Sequence, residues 1–333
     1  MGIKRVIIWK HLFKINQSGS HTFIHQAYYN AFKYLNYETY WCDNLEELNI
    51  DNYEGTLFFL EGNHDGLPLR DDCYYVLHHV DNKPFIEKGC KFVNLCNFLL
   101  KSALVNESYN YPLDNSGQHG KYPLYSTEKI KPHLHYDIKN KAIYQPWGTN
   151  LLPHEINDEP INYKKSSELN FIGSVWSENI NQILPMIQNV IDNGINFNIY
   201  GWLQFNDLKH NKIIHKSLCG LPESDAIDIV KSSIFYPDVR GEHHINLGYI
   251  PCRLFKNISY GCMPITNSKL AFEFFEEDIL YSPNTKDFLN ISVKYYNNRD
   301  IEREKRMIKF VKENHTYVNR VNDLVDFIKI IYG

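Results

Sequence analysis

Within residues 234–267 the hydrophobic pattern changes period twice, so the chain must switch from strand to helix and back. The stretch reads IFYPDVRGEHHINLGYIPCRLFKNISYGCMPITN. The apolar run Ile234-Phe235-Tyr236 predicts a short buried strand. A polar loop over 238–248 follows, carrying Arg240, Glu242, His243 and His244. Ile250, Leu254 and Ile258 then recur every four residues, which places them on one face of a helix. Gly261 has the place of a residue just past a helix end. Met263-Pro264-Ile265 predicts the next buried strand. The result is a β-loop-α-β unit.

The charges on this helix are oddly placed. Arg253 and Lys256 fall in its first two predicted turns, where the macrodipole disfavours cations. The ordinary reading of such a pair is a solvated basic face. An anion at the helix start explains the placement better, because free backbone N–H groups and both cations would then converge on it. Tyr249 and Asn257 stand beside the pair as further polar contacts, and Arg240 is a further cation.

Tyr249-Ile250-Pro251-Cys252-Arg253, followed by Gly261-Cys262-Met263-Pro264-Ile265, resembles the donor-site signature of GT-B glycosyltransferases. It is most similar to the fucosyltransferase-like and exostosin-like pattern, Tyr-Ile-x-Glu-Lys, then a helix, then Gly-x-x-Pro-Val. The resemblance implies that Arg253 takes the Lys position and binds the diphosphate of a sugar nucleotide. Cys252 stands where that pattern has an acid, so any role of the acid has moved elsewhere. The resemblance also implies an α/β chain of two Rossmann-like domains facing a cleft, and a hexosyl- or deoxyhexosyltransferase that inverts configuration.

The rest of the chain is compatible with that plan. Its 333 residues suffice for two domains. Strands are predicted over 4–9, 38–41, 56–60, 74–77 and 92–95, with a helix over 22–35 whose stripe is Phe23, Ala27, Ala31 and Tyr34. Such alternation means a mainly parallel sheet. Residues 105–140 are irregular and rich in Tyr, Pro, Asn and His, as expected of an excursion over the cleft. The best linker is 154–167. A second series opens with a strand over 169–172 and the turn Gly173-Ser174, then a helix over 179–193, a strand over 196–200 and a helix over 221–231. Residues 300–331 are helical in pattern. The expected division is an acceptor-side domain over 1–153, a nucleotide-sugar domain over 168–312, and a terminal helix over 313–333 that crosses back to the first.

Sugar transfer needs a neutralised leaving diphosphate, and an acceptor hydroxyl gains from a base. Arg253, Lys256 and Arg240 suit the first need. Gly173 and Ser174 let backbone approach phosphates, although a glycine after a strand is more often a plain turn. Glu242 is a candidate for holding ribose or sugar hydroxyls. For the base, the candidates are His21, which closes a Gly-Ser loop after the first strand, and His64 and Asp65, which follow the third. His78 and His79 follow the fourth.

Several classes are excluded. There is no D-x-D for a diphosphate-bound metal, no H-E-x-x-H, no phosphate loop of the G-x-x-x-x-G-K type and no dinucleotide fingerprint. The expected reaction therefore needs no metal and no cofactor beyond the nucleotide-sugar co-substrate. Net charge of −4 argues against nucleic acid as a partner. Seven cysteines, an odd number without a C-x-x-C pair, suggest reduced core thiols and a cytoplasmic location. No apolar run has the length of a membrane span. Two rival readings share the fold: a nucleotide-sugar epimerase or hydrolase, and a non-catalytic sugar or nucleotide binder.

Overall fold

The computed structural model describes residues 2–9, 20–42, 50, 52–62, 64–78, 80–97, 111–112, 119–120, 128–131, 134–173, 175, 179–201, 210–216 and 223–333. The chain forms two units. One comprises Met1–Leu152 with Thr316–Gly333, the other Pro153–His315.

In the first unit the apolar runs become strands of one sheet. In chain order the elements are β1 (Arg5–Trp9), α1 (Ser20–Tyr34), β2 (Glu38–Cys42), β3 (Thr56–Glu61), β4 (Tyr74–His78), α2 (Lys83–Glu87) and β5 (Lys91–Cys96). β6 (Tyr111–Pro112) and β7 (His119–Gly120) pair only with each other. β8 (Glu128–Lys131), β9 (Leu134–Asp137) and β10 (Ala142–Tyr144) complete the set. The eight-stranded order is β2-β1-β3-β4-β5-β10-β9-β8. Its first six strands are parallel, β9 runs against them, and β8 pairs antiparallel to β9. The described part of 105–140 thus includes a hairpin that widens the sheet, where the sequence predicted an irregular excursion. The alternation of short polar and apolar residues there is too brief to register as strands.

β1, β3 and β4 are buried along nearly their whole length, as expected of parallel strands covered on both faces. Phe58 stacks on Tyr75 at 5.5 Å, and Phe85 of α2 meets Tyr75 edge-on at 5.1 Å. The side chains that face the other way, toward α1, include Phe59, which lies 4.5 Å from the ring of Tyr28.

The second unit has two parallel three-stranded sheets. Its elements are β11 (Glu168–Ile172), α3 (Ile180–Asp192), β12 (Asn196–Tyr200), β13 (Ile213–Lys216), α4 (Glu223–Lys231), β14 (Tyr236–Asp238), α5 (Glu242–Leu247), α6 (Cys252–Ser259), β15 (Pro264–Thr266), α7 (Lys269–Phe274), β16 (Leu280–Tyr281), α8 (Phe288–Asn297) and α9 (Ile301–Asn314). The N–H of Ile234 donates to Glu168 O at 2.8 Å, and Asn170 N donates to Ser233 Oγ at 2.9 Å. These bonds set the start of β14 beside β11. The order across the unit is therefore β13-β12-β11-β14-β15-β16, and it reverses direction between β11 and β14.

Two sequence expectations change here. The polar loop over 238–248 contains a helix, α5, which Gly241 opens and Gly248 closes in the left-handed region at φ 69°. The helical pattern over 300–331 is two helices. Thr316 breaks it and starts α10 (Tyr317–Tyr332) with a reciprocal cap to Asn319. α10 belongs to the first unit and packs on α1, with the rings of Tyr317 and Tyr28 at 4.8 Å. Arg320, fully buried on α10, donates through Nε to Pro146 O at 2.8 Å and through Nη2 to Trp147 O at 3.1 Å.

Candidate functional site

The reversal of strand order in the second unit places the ends of β11 and β14 where doubly wound folds bind ligands. Helix α6 starts beside them. Pro251, extended at φ −77° and ψ 154°, is its N-cap, and no side chain caps its first turn. Arg253 therefore sits in the first turn, as the sequence predicted. Its Nη2 donates to Ile172 O at 2.8 Å, and its guanidinium carbon lies 4.4 Å from the Phe171 ring centroid. Gly173 permits this approach. A Cβ on Gly173, at φ +153°, would fall 2.0 Å from Arg253 Nη2.

A second guanidinium shares the place. Arg240 donates through Nε to Asp238 Oδ1 at 2.8 Å, and its Nη2 lies 2.5 Å from the same oxygen. Arg253 Nη1 lies 3.8 Å from that oxygen too. The other carboxylate oxygen accepts from Thr266 Oγ1 at 3.2 Å. Asn267 fixes the Arg240 backbone from both sides, accepting from its N–H at 2.7 Å and donating to its carbonyl at 2.9 Å. Asp238 is fully buried, while the Arg253 side chain keeps 21 % of its surface. Two cations thus share one carboxylate, leaving one positive charge in excess. Burial first, and then the like charge of Arg240, pull the Arg253 pKa down to about 10, with Asp238 offsetting part of the fall. Arg253 is still a cation at neutral pH, and an anion at this point would relieve the cost of keeping it charged.

The other donor-side candidates divide. The Tyr249 ring is half-buried, 5.9 Å from the Arg240 guanidinium carbon and 5.1 Å from the His244 ring. Glu242 is exposed in the first turn of α5. Asn257 is buried on the inner side of α6. Ser174 lies outside the described residues. Lys256 lies three residues after Arg253 in the eight-residue α6, in its last turn, where the dipole favours it, and its ammonium is 6.0 Å over the Tyr260 ring. The sequence reading missed Asp238, Thr266 and Asn267. A signal was present, since Asp238 closes a strand two residues before Arg240 and Thr266-Asn267 closes the next.

In the first unit, His21 lies in the opening turn of α1, and its side chain is outside the described residues. Asp65 is exposed in the turn after β3, and the His64 ring packs edge-on against Phe85 at 5.7 Å. A tighter group lies at the strand ends themselves. His25 Nδ1 is 3.0 Å from Glu61 Oε2, and His25 Nε2 is 3.4 Å from His78 Nδ1. Glu61 and His78 are register partners that close β3 and β4. Both histidines are fully buried. The sequence reading noted His78 but missed His25 and Glu61. Among the described residues this is the group whose donor atoms could hold a metal ion. The order β2-β1-β3 also reverses at this end of the sheet.

Residues 170–326 match a family model described as glycosyl transferase-like. No curated protein matches the chain. Among solved structures, the fold is similar to T4 phage BGT in complex with UDP and Mn2+, with a TM-score of 0.52 and 10 % identity over 99 % of this chain and 98 % of that one. It is equally similar, at 0.52 and 11 %, to the DNA modifying enzyme β-glucosyltransferase determined with and without uridine diphosphoglucose, over 98 % and 97 % of the two chains. A further T4 phage β-glucosyltransferase structure gives 0.51 and 10 % over 99 % and 98 %. At such identities the likeness establishes the fold. The chain has the GT-B architecture of two Rossmann-like domains, and the stretch that matches the glycosyl transferase-like model runs from the second unit into α10 of the first.

Proposed function

We propose that the protein transfers a sugar from a nucleoside-diphosphate donor to an acceptor hydroxyl. The observation that carries this reading is the pair Arg240 and Arg253 sharing the single buried carboxylate of Asp238 at the strand reversal of a glycosyl transferase-like domain. When the bond from the sugar to the diphosphate breaks, negative charge grows on the leaving oxygens. Fixed guanidinium groups stabilise that charge more than they stabilise the ground state, which is the requirement for catalysis. Gly173 leaves room for the Arg253 guanidinium, and the uncapped first turn of α6 leaves N–H groups for phosphate oxygens.

On this reading the guanidinium pair supplies the positive charge, and transfer needs no Mg2+ or Mn2+. The donor lies in the second unit and the first unit carries the acceptor side. The base, where the acceptor needs one, is His21, His64 or Asp65. The likeness of Tyr249 to Arg253 and Gly261 to Ile265 to the fucosyltransferase-like and exostosin-like pattern supports an inverting hexosyl or deoxyhexosyl transfer. UDP-sugars are the first donors to test, because the T4 phage enzyme of the same fold was determined with UDP and with uridine diphosphoglucose. That enzyme modifies DNA. The net charge of −4 here favours a glycan or another small hydroxyl compound as acceptor. No described helix is long and apolar enough to cross a membrane, and no disulfide joins the described cysteines to one another. Both facts support a cytoplasmic setting.

The test is a donor screen by thermal shift across UDP-, GDP-, CMP- and dTDP-sugars, followed by turnover with and without acceptors. Donor consumption that depends on acceptor, with the linkage inverted in the product, is expected. Equal consumption without acceptor would assign a hydrolase or epimerase instead, and binding without consumption a sugar-nucleotide sensor.

A further inference from the structure

We propose that His25, Glu61 and His78 form a binding site for a divalent transition-metal ion of the zinc class, built into the first unit. Two imidazole nitrogens as ligands, with a carboxylate behind one of the rings, suit zinc better than magnesium or manganese, which prefer oxygen. The donor atoms of the three side chains all lie within 4.8 Å of one another.

The bland alternative is a hydrogen-bonded pair of core histidines, and the distances separate the two. An N–H donor and its acceptor stand at roughly 2.7–3.2 Å. His25 Nε2 and His78 Nδ1 are 3.4 Å apart, long for that bond. Two nitrogens on one tetrahedral ion, each about 2.0–2.1 Å from it, are separated by about 3.3–3.4 Å. The pair is spaced as ligands are.

Glu61 completes the case. Its Oε2 accepts from Nδ1 of His25 at 3.0 Å, which fixes the tautomer that turns the Nε2 lone pair toward His78. A carboxylate behind a metal-binding histidine has this effect on ring orientation and basicity. Its charge also offsets one of the two charges of the ion. The scaffold is rigid, because Glu61 and His78 close adjacent paired strands and His25 projects from α1 across them. Glu61 alone of the three is partly exposed, at 11 %, and water enters the coordination from its side. The ion would tie α1 to the ends of β3 and β4 in the unit that does not hold Arg253, so the proposal does not depend on the donor site.

The experiment uses the full chain, stripped with a chelator, dialysed, and titrated with Zn2+ and with Co2+. The expected result is about one Zn2+ per chain, a higher melting temperature with Zn2+, and the visible absorption of tetrahedral Co2+. His25→Ala and His78→Ala should each weaken Zn2+ binding at least 100-fold, and Glu61→Gln by about tenfold to 100-fold. His154→Ala, in the other unit, should bind as wild type does. Wild-type protein that takes up no Zn2+ and gives no Co2+ absorption overturns the proposal, and that reading needs no variant to fold. Equal Zn2+ affinity in a folded His25→Ala/His78→Ala double variant overturns it as well.

Discussion

Each unit reverses its strand order beside a cluster of charged or ligating residues, at β1/β3 in the first and at β11/β14 in the second, and the two clusters have opposite chemistry. In the second unit the ends of β11 and β14 gather Arg240, Arg253 and Asp238. In the first, the ends of β3 and β4 gather Glu61 and His78 under His25. The first of these places has an excess of fixed positive charge and suits an anion. The second has imidazoles and one carboxylate and suits a soft cation. The doubly wound topology therefore fixes where a ligand can sit, while the residues that close the strands decide its charge.

The sharpest way to break that contrast is to remove Asp238. Asp238→Ala leaves two guanidinium groups facing each other without their shared carboxylate. Unfolding in urea should show a loss of about 3–5 kcal/mol.

Gly173→Ala tests the same site by volume. Its Cβ would occupy the position of Arg253 Nη2, so the guanidinium must move. Donor affinity, read by calorimetry, should fall about tenfold, in line with the loss of one charge-assisted hydrogen bond of about 1.5–3 kcal/mol. Affinity equal to that of the wild type would mean that Arg253 does not touch the ligand.

The depressed pKa of Arg253 gives a pH signature. Nucleotide affinity should stay flat from pH 7 to about pH 9 and weaken several-fold as pH passes about 10, because the cation that binds the anion is then lost. The sign is fixed by the group: a base binds an anion only below its pKa. A profile flat to pH 10.5 would show that burial does not lower the Arg253 pKa that far.

Lys256→Ala should have the smallest effect, with nucleotide affinity within about twofold of wild type. Its ammonium lies over the Tyr260 ring, and the helix dipole already favours it in the last turn of α6, unlike Arg253 in the first.

That difference shows what was legible. The alternation of strand and helix gave the architecture, because period and burial are local properties of the sequence. Arg253 was legible because a cation in a first turn contradicts the helix dipole. The dipole argument does not extend to Lys256, because the period of four fixes a face but not a length, and α6 ends after two turns. His25 and Glu61 were not legible, and Asp238 and Asn267 were marked only by their place at strand ends. Each gains its meaning from a partner on another element, such as Asp238 with Thr266 or Glu61 with His25, and no spacing in a single segment records a contact across a sheet. The left-handed Gly248 that closes α5 was visible only as a loop glycine.

The central claim is that a nucleoside diphosphate is held by Arg253 at the start of α6. Calorimetric titration of UDP, or of whichever nucleoside diphosphate the donor screen selects, into wild-type and Arg253→Ala protein tests it most directly. The account predicts affinity reduced about tenfold to 100-fold in the variant, with the melting temperature unchanged or slightly raised. Unchanged affinity in a normally folded Arg253→Ala protein would contradict it.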